Sequence, residues 1–161
     1  MSIPGAKTTQ CRSATLELEI AIEAAPAQVW KAFTNEIDEW WLPDFRVTGS
    51  PRGVVFESQV GGRVYEDQGD GQGLLWFHVL SLAEPASMHL AGQICPPFGG
   101  PATTQLYVTL EESASGTLLK ITNALVGNID ESTVETTREG WRMLFEQGLR
   151  QWVEKGRKQA G

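Results

Sequence analysis
The stretch from Ser132 to Lys155 constrains this chain more than any other. On a helical wheel Val134, Trp141, Phe145, Gly148 and Trp152 fall in one narrow stripe, with Leu144 and Leu149 on its flanks. Glu135, Glu139, Arg142, Glu146, Arg150 and Glu154 occupy the other side, so the segment has one dry face and one wet face. Ser132 and Glu135 have capping-box spacing and predict where the helix starts. At 1.5 Å per residue the helix would reach roughly 36 Å, enough to cross a small domain. Two indoles and a phenyl ring, each able to bury about 150–250 Å², make it the main apolar partner of whatever it covers. Gly148 lies on the dry face, where a missing side chain permits a close backbone approach or leaves space for something else.

What precedes the helix reads as a sheet built to close around it. Residues 1–13 are polar and irregular and are expected to be a loose terminus; 14–157 reads as a single domain. Leu16, Leu18, Ile20 and Ile22 alternate with Glu17, Glu19 and Glu23, the pattern of a half-buried strand. Pro26 opens a short helix carrying Val29, Trp30 and Phe33. A second short helix, Glu36 to Trp41, must end before Pro43. Six strands follow: Val54–Glu57, Arg63–Asp67, about Gln72–Ala83, Ser87–Ile94, Thr103–Leu110 and Thr117–Val126. Gly61-Gly62 and Gly69-Asp70-Gly71 mark two of the hairpin turns. The expected fold is therefore α+β, with one antiparallel sheet and its helices on one side.

Pairing predicts which face looks inward. Leu106, Val108 and Leu110 should share a face with Leu119 and Ile121, while Tyr107, Lys120 and Thr122 point away. A two-residue turn at Glu84-Pro85 would put Phe77, Val79 and Leu90 together on the dry side. It would leave Trp76, His78, His89 and Gln93 on the opposite face. A single bulge would invert this assignment.

Composition narrows the partners. A net charge of −7 argues against nucleic acid and anionic membrane surfaces. No stretch is apolar for long enough to span a membrane, and MSIPGAKTTQ lacks the basic-then-apolar run of a signal peptide. Cys11 and Cys95 have neither metal-site nor disulfide-framework spacing, so a reducing cytoplasm is the expected location. His78 and His89 are the only histidines and no metal motif occurs; neither a metal nor an organic cofactor is expected.

Three segments together resemble a known superfamily. They are Val54–Glu66 (VVFESQVGGRVYE), the DG turn with Leu74–Pro85 (LLWFHVLSLAEP), and the Gly-Trp within Thr136–Leu149 (TTREGWRMLFEQGL). With the opening Ile22–Asn35 (IEAAPAQVWKAFTN) they are similar to the START-like SRPBCC superfamily, over about Leu16 to Lys155. The branch they most resemble contains the Aha-type activators of the heat-shock chaperone ATPase. The resemblance implies a helix-grip of the START/Bet v type: a curved antiparallel sheet wrapped around the long C-terminal helix, with an apolar cavity between them. Phe77 stands where the family often has glycine after the tryptophan, and its ring would narrow that cavity.

The candidate pocket follows from the grip and the inner-face assignment: Trp41, Phe45, Tyr65, Phe77, Val79, Leu90, Leu106, Val108, Trp141 and Phe145. For each aromatic residue taken alone, plain core packing is the competing explanation. Arg138, one turn before Trp141, is a candidate polar anchor that would hold a carboxylate; a surface pair with Glu135 or Glu131 is the simpler role. Glu66 is the second candidate anchor and, with Glu57, the only pair suggesting acid–base chemistry. No residue is assigned as catalytic. The first reading is a non-enzymatic protein that encloses a small hydrophobic molecule, acting as monomer or homodimer. The alternatives are a cyclase or dehydratase working by proton transfer near Tyr65, Glu66 or Arg138, and an interaction module regulating a chaperone through a patch around Trp40-Trp41.

Overall fold
A computed structural model describes residues 4–49 and 51–160, with side chains as far as Gly156. Residues 1–3 of the expected loose terminus lie outside the described residues. The chain runs β1 (Arg12–Ile22), α1 (Pro26–Asn35), α2 (Ile37–Trp40), a 3₁₀ turn (Pro43–Phe45), β2 (Val54–Phe56), β3 (Arg63–Gly69), β4 (Gln72–Ala83) and β5 (Ser87–Ile94). A second 3₁₀ turn (Pro96–Phe98) leads to β6 (Ala102–Ser113) and β7 (Gly116–Gly127). The last helix begins as α3 (Glu131–Met143), passes through a π-helical segment (Leu144–Arg150) and continues as α4 (Gln151–Ala160). All seven strands form one antiparallel sheet in the order β1-β7-β6-β5-β4-β3-β2. The first strand thus pairs with the last and carries the sheet round beneath the helix, as a helix-grip requires.

Of the boundaries that move, two have a clear physical cause. β1 begins at Arg12, inside the segment expected to be loose, because Arg12 and Ser13 already pair with Gly127 and Val126. The last helix is capped by Asp130, not by Ser132: the Asp130 carboxylate accepts the Thr133 N–H at 2.8 Å and its hydroxyl at 2.9 Å. Asp is among the strongest N-caps, and its position two residues earlier leaves Ser132 inside the helix.

The inner face is as dry as the alternation predicts: Leu106, Val108, Leu110, Leu119 and Ile121 are all buried, whereas Tyr107 is exposed. Val79 pairs with Leu90, the register expected from a two-residue turn. The connection is in fact longer, since Ala83 pairs with Ser87. A one-residue bulge between Val79 and Ser81 takes up the extra residue, so the two deviations cancel. A second bulge does change the outcome. Val64 pairs with Phe77 and Tyr65 with Leu75, leaving Trp76 unpaired between them. The bulge turns Trp76 inward beside Phe77, which corrects its expected place on the outer face with His78 and His89. His78 is exposed, and His89 bonds outer-face Gln105 at 3.0 Å. The β3–β4 hairpin closes through Asp70-Gly71, both at positive φ (54° and 75°), the combination that a two-residue turn demands.

Candidate functional site
α1 forms because Pro26 sits in the first turn, where its missing N–H is harmless, and Val29, Trp30 and Phe33 line one side of the helix. α2 then reverses the chain and leaves Trp40 and Trp41 buried at its C-terminal end. The Trp40 indole N–H donates to the Ala32 carbonyl at 2.8 Å and locks α2 onto α1. The C-terminal helix meets this corner at Gly148. A Cβ there would lie 2.5 Å from the Trp40 carbonyl oxygen, so the bare glycine is what allows the two backbones to approach. The π-helical turn falls on the same stretch.

Between helix and sheet the aromatic side chains form one continuous array. Trp41 meets Trp76 edge-on at 5.2 Å, Trp76 meets Trp141 at 6.5 Å, and Trp141 lies 6.1 Å from Phe77 and 5.8 Å from Phe145. Phe145 stacks on Phe33 at 5.6 Å. Such pairs each contribute about 0.5–1.5 kcal/mol beyond the area they bury. The rings are in mutual contact, so the space where a cavity was expected is occupied by side chains. Phe77 fits because it packs over Gly92, where a Cβ would come within 3.1 Å of its ring.

Two buried polar residues are set into this array. Asn123 is fully buried on β7. It accepts the Trp141 indole N–H at 3.0 Å and donates to the Thr104 hydroxyl at 2.8 Å and the Gln105 carbonyl at 2.9 Å. Glu66 is fully buried on β3. One carboxylate oxygen accepts the Trp76 indole N–H at 2.7 Å and the Val47 N–H at 3.1 Å. The other accepts the N–H and the hydroxyl of Thr48, each at 2.9 Å. These donors replace the water that an ionised carboxylate gives up on burial. Among the described residues no buried side-chain nitrogen or oxygen lacks a partner.

The ten residues expected to line the pocket separate into three groups. Trp41, Phe77, Trp141 and Phe145 belong to the ring array, and Phe45 packs against it half-buried. Val79, Leu90, Leu106 and Val108 are almost fully buried on the inner sheet face. Tyr65 is the exception: it lies on the outer face with the Arg63 guanidinium 4.5 Å from its ring centre. Val64 and Glu66 are buried on either side of it, and adjacent strand residues point to opposite faces. Tyr65 and Glu66 therefore never share a site. Glu57 and Glu66 do not converge either, because Glu57 holds Arg63 outside at 2.7 Å. That contact, an ion-paired hydrogen bond from Arg63, keeps the Glu57 carboxyl below its ordinary range. Arg138 is half-buried on α3, and among the described residues the ion pairs of this helix join Arg142 and Arg150 to Glu139 and Glu146, not Arg138 to Glu131 or Glu135. Trp76 and Asn123 were not among the expected site residues. Asn123 was legible as a polar residue at an inward position between Ile121 and Leu125, whereas Trp76 depends on the bulge.

An open groove of about 200 Å³ lies outside the grip, lined by Trp40, Trp41, Leu42, Pro43, Gly148 and Trp152 together with Glu39, Gln147, Gln151 and Lys155. Trp40 and Trp41 are buried at its base, so the expected indole patch around them is not bare.

A seven-stranded sheet closed on a long C-terminal helix, with a ring array between them, defines the helix-grip class. The chain belongs to the family described as activator of Hsp90 ATPase homolog 1-like protein, whose model matches residues 23–154. Among solved structures, an uncharacterized protein from Rhizobium leguminosarum is 19% identical, with 91% of this chain and 97% of that one covered and a TM-score of 0.67. The Aha1 dimer from Colwellia psychrerythraea is 20% identical, covering 88% and 96%, with a TM-score of 0.62. DynU16, from the dynemicin biosynthetic locus, is 18% identical with a TM-score of 0.67, covering 88% of this chain and 48% of that one. At these identities the likeness is one of fold. No curated protein matches the chain. No helix of the described residues is long and apolar enough to cross a membrane.

Proposed function
We propose that the chain binds a small apolar molecule between the C-terminal helix and the inner face of the sheet, against Trp41, Trp76, Phe77, Trp141 and Phe145. The observation that carries this reading is the polar balance of the interior. Its buried polar groups already have partners, so a guest meets ring faces and aliphatic side chains and no idle acid or base. Affinity then comes from apolar burial, about 25 cal/mol per Å² removed from water. The rings already touch one another, so entry requires Trp76 or Phe45, both half-buried, to move aside. Arg138 is the candidate anchor for a ligand with an anionic end. The cyclase or dehydratase alternative is disfavoured, because donors from Val47, Thr48 and Trp76 engage both oxygens of Glu66 and Glu57 lies outside the grip.

Family membership favours a second reading, regulation of a chaperone ATPase through protein contact, with or without homodimer formation. One experiment separates the two. Protein purified without detergent is examined by native mass spectrometry and then titrated with the neutral probe N-phenyl-1-naphthylamine while tryptophan emission is followed. A stoichiometric apolar adduct, or saturable probe uptake that quenches the indoles, supports ligand binding. A clean mass together with no saturable uptake overturns it and leaves the protein-contact reading.

A further inference from the structure
We propose that Pro43–Gly49 is the gate of the grip and that Glu66 is the latch holding it shut. The segment leaves α2, turns through the 3₁₀ residues Pro43–Phe45 and runs from the C-terminal helix, at Gly140, to β3, at Glu66. Its first half touches the helix side: Phe45 packs half-buried on the core, with its ring 3.7 Å from where a Cβ on Gly140 would stand. The Phe45 carbonyl also accepts the Trp41 indole N–H at 3.3 Å. Its second half is held to the sheet by the bonds from Val47 and Thr48 to Glu66, and by the Gln68 amide on the Thr48 carbonyl at 3.0 Å.

The anchoring is polar rather than apolar. Val47, the other large hydrophobic side chain of the segment, is 49% exposed and contributes little to packing. Arg46 forms the hinge-side tie: its guanidinium holds the Asp38 carboxylate at 2.8 Å and the Trp41 carbonyl at 3.2 Å. Asp38 in turn accepts the Val54 N–H at 2.9 Å, so this end is fixed to both α2 and β2. The fixed end and the latched end together define a flap that can swing when the latch is weakened. Glu66 also holds the Trp76 indole, the ring that bridges Trp41 and Trp141. Releasing the carboxylate therefore frees the flap and the middle ring at once, and both lie on the route to the interior. The inference rests on the apolar-ligand reading only for what passes the gate.

The test is Glu66→Gln. A carboxamide keeps one acceptor oxygen and sets an N–H₂ against the backbone N–H that used the other, so the bond from Val47 or the bond from Thr48 must break. Whichever of the Val47 and Thr48 amides loses its acceptor should then exchange with solvent about tenfold faster or more, and acrylamide should quench tryptophan emission more strongly. Exchange in β6 and β7 should stay unchanged. Thr48→Val, which removes the hydroxyl and keeps the backbone N–H, should give a smaller change of the same kind and serves if Glu66→Gln does not fold. Unchanged exchange at Val47 and Thr48 overturns the latch; acceleration throughout β6 and β7 overturns it too, since Glu66 would then support the core at large. Uptake of N-phenyl-1-naphthylamine should quicken by a similar factor, and uptake at the wild-type rate with a loosened flap overturns the gate. If the probe binds neither protein, the apolar-ligand reading fails, and exchange with quenching decides the latch by itself.

Discussion

Replacing Trp141 with phenylalanine should test whether Asn123 is placed to hold the central indole. The substitution removes the N–H that donates to the Asn123 carbonyl oxygen at 3.0 Å, at a residue with no solvent exposure. A buried acceptor left without a donor costs about 1–3 kcal/mol. The smaller ring also leaves a void; at about 24 cal/mol per Å³, a gap of roughly 40 Å³ adds about 1 kcal/mol. The expected loss is thus about 2–4 kcal/mol of a stability that for a domain of this size is about 5–15 kcal/mol. A double-mutant cycle with Asn123→Leu separates the two terms. Asn123→Leu strands the indole N–H and removes the donor to Thr104 and Gln105, whereas in the double variant neither the indole nor the amide is left unmatched. The coupling energy from urea unfolding should be about 1–2 kcal/mol in the direction of relief. Additivity within about 0.5 kcal/mol would refute the argument, because the hydrogen bond would then be carrying none of the stability assigned to it.

Two glycines of the C-terminal helix should respond in opposite directions. Gly148→Ala drives a methyl group into the Trp40 carbonyl, 2.5 Å away, and should destabilise the protein by about 1–3 kcal/mol. Gly156→Ala, with nothing within 4 Å, should stabilise by up to about 1 kcal/mol through helix propensity; thermal melts of both compared with wild type check the pair, and equal shifts would refute the close approach. Acid behaviour should show the Asp130 cap. The Thr133 backbone N–H, then its hydroxyl, holds the Asp130 carboxyl below its ordinary value. A depressed folded-state value means that the contribution is complete above the unfolded value of about 3.9 and disappears as pH falls through the lower folded value. Carboxyl NMR titration should place Asp130 below that value; a midpoint at or above it would show that the cap does not form.

Legibility was uneven for definite physical reasons. The wet and dry faces of the last helix, the inward set Leu106, Val108, Leu110, Leu119 and Ile121, and the Asp70-Gly71 turn could all be read from local pattern. Each depends on a period or a turn residue that the chain carries within a few positions. The helix start lies two residues before the one the capping-box spacing predicts, because Ser132 and Asp130 both offer an acceptor and only the geometry decides which one meets Thr133. Tyr65 and Glu66 cannot serve one site, because strand alternation sends neighbours to opposite faces. The inward turn of Trp76 is not legible in the sequence, because a bulge carries no sequence mark of its own.

By itself, then, the order of residues determined the architecture: an alternating first strand, two short helices, six further strands, and a helix with one apolar face that only a closing sheet could cover. It also determined that the interior would be aromatic, since Trp141 and Phe145 lie on that face. Only the tertiary structure decided how the interior is arranged. The bulge at Trp76 brings a third indole between Trp41 and Trp141. Gly148 lets Trp40 close on the helix, and Glu66 turns from a candidate anchor for a guest into the acceptor for Val47 and Thr48. These outcomes depend on contacts between residues 10 to 108 positions apart, and burial forces every polar atom to find a partner wherever the fold supplies one. Periodicity fixes which face a side chain takes, whereas its partner is set by what the closed sheet brings opposite.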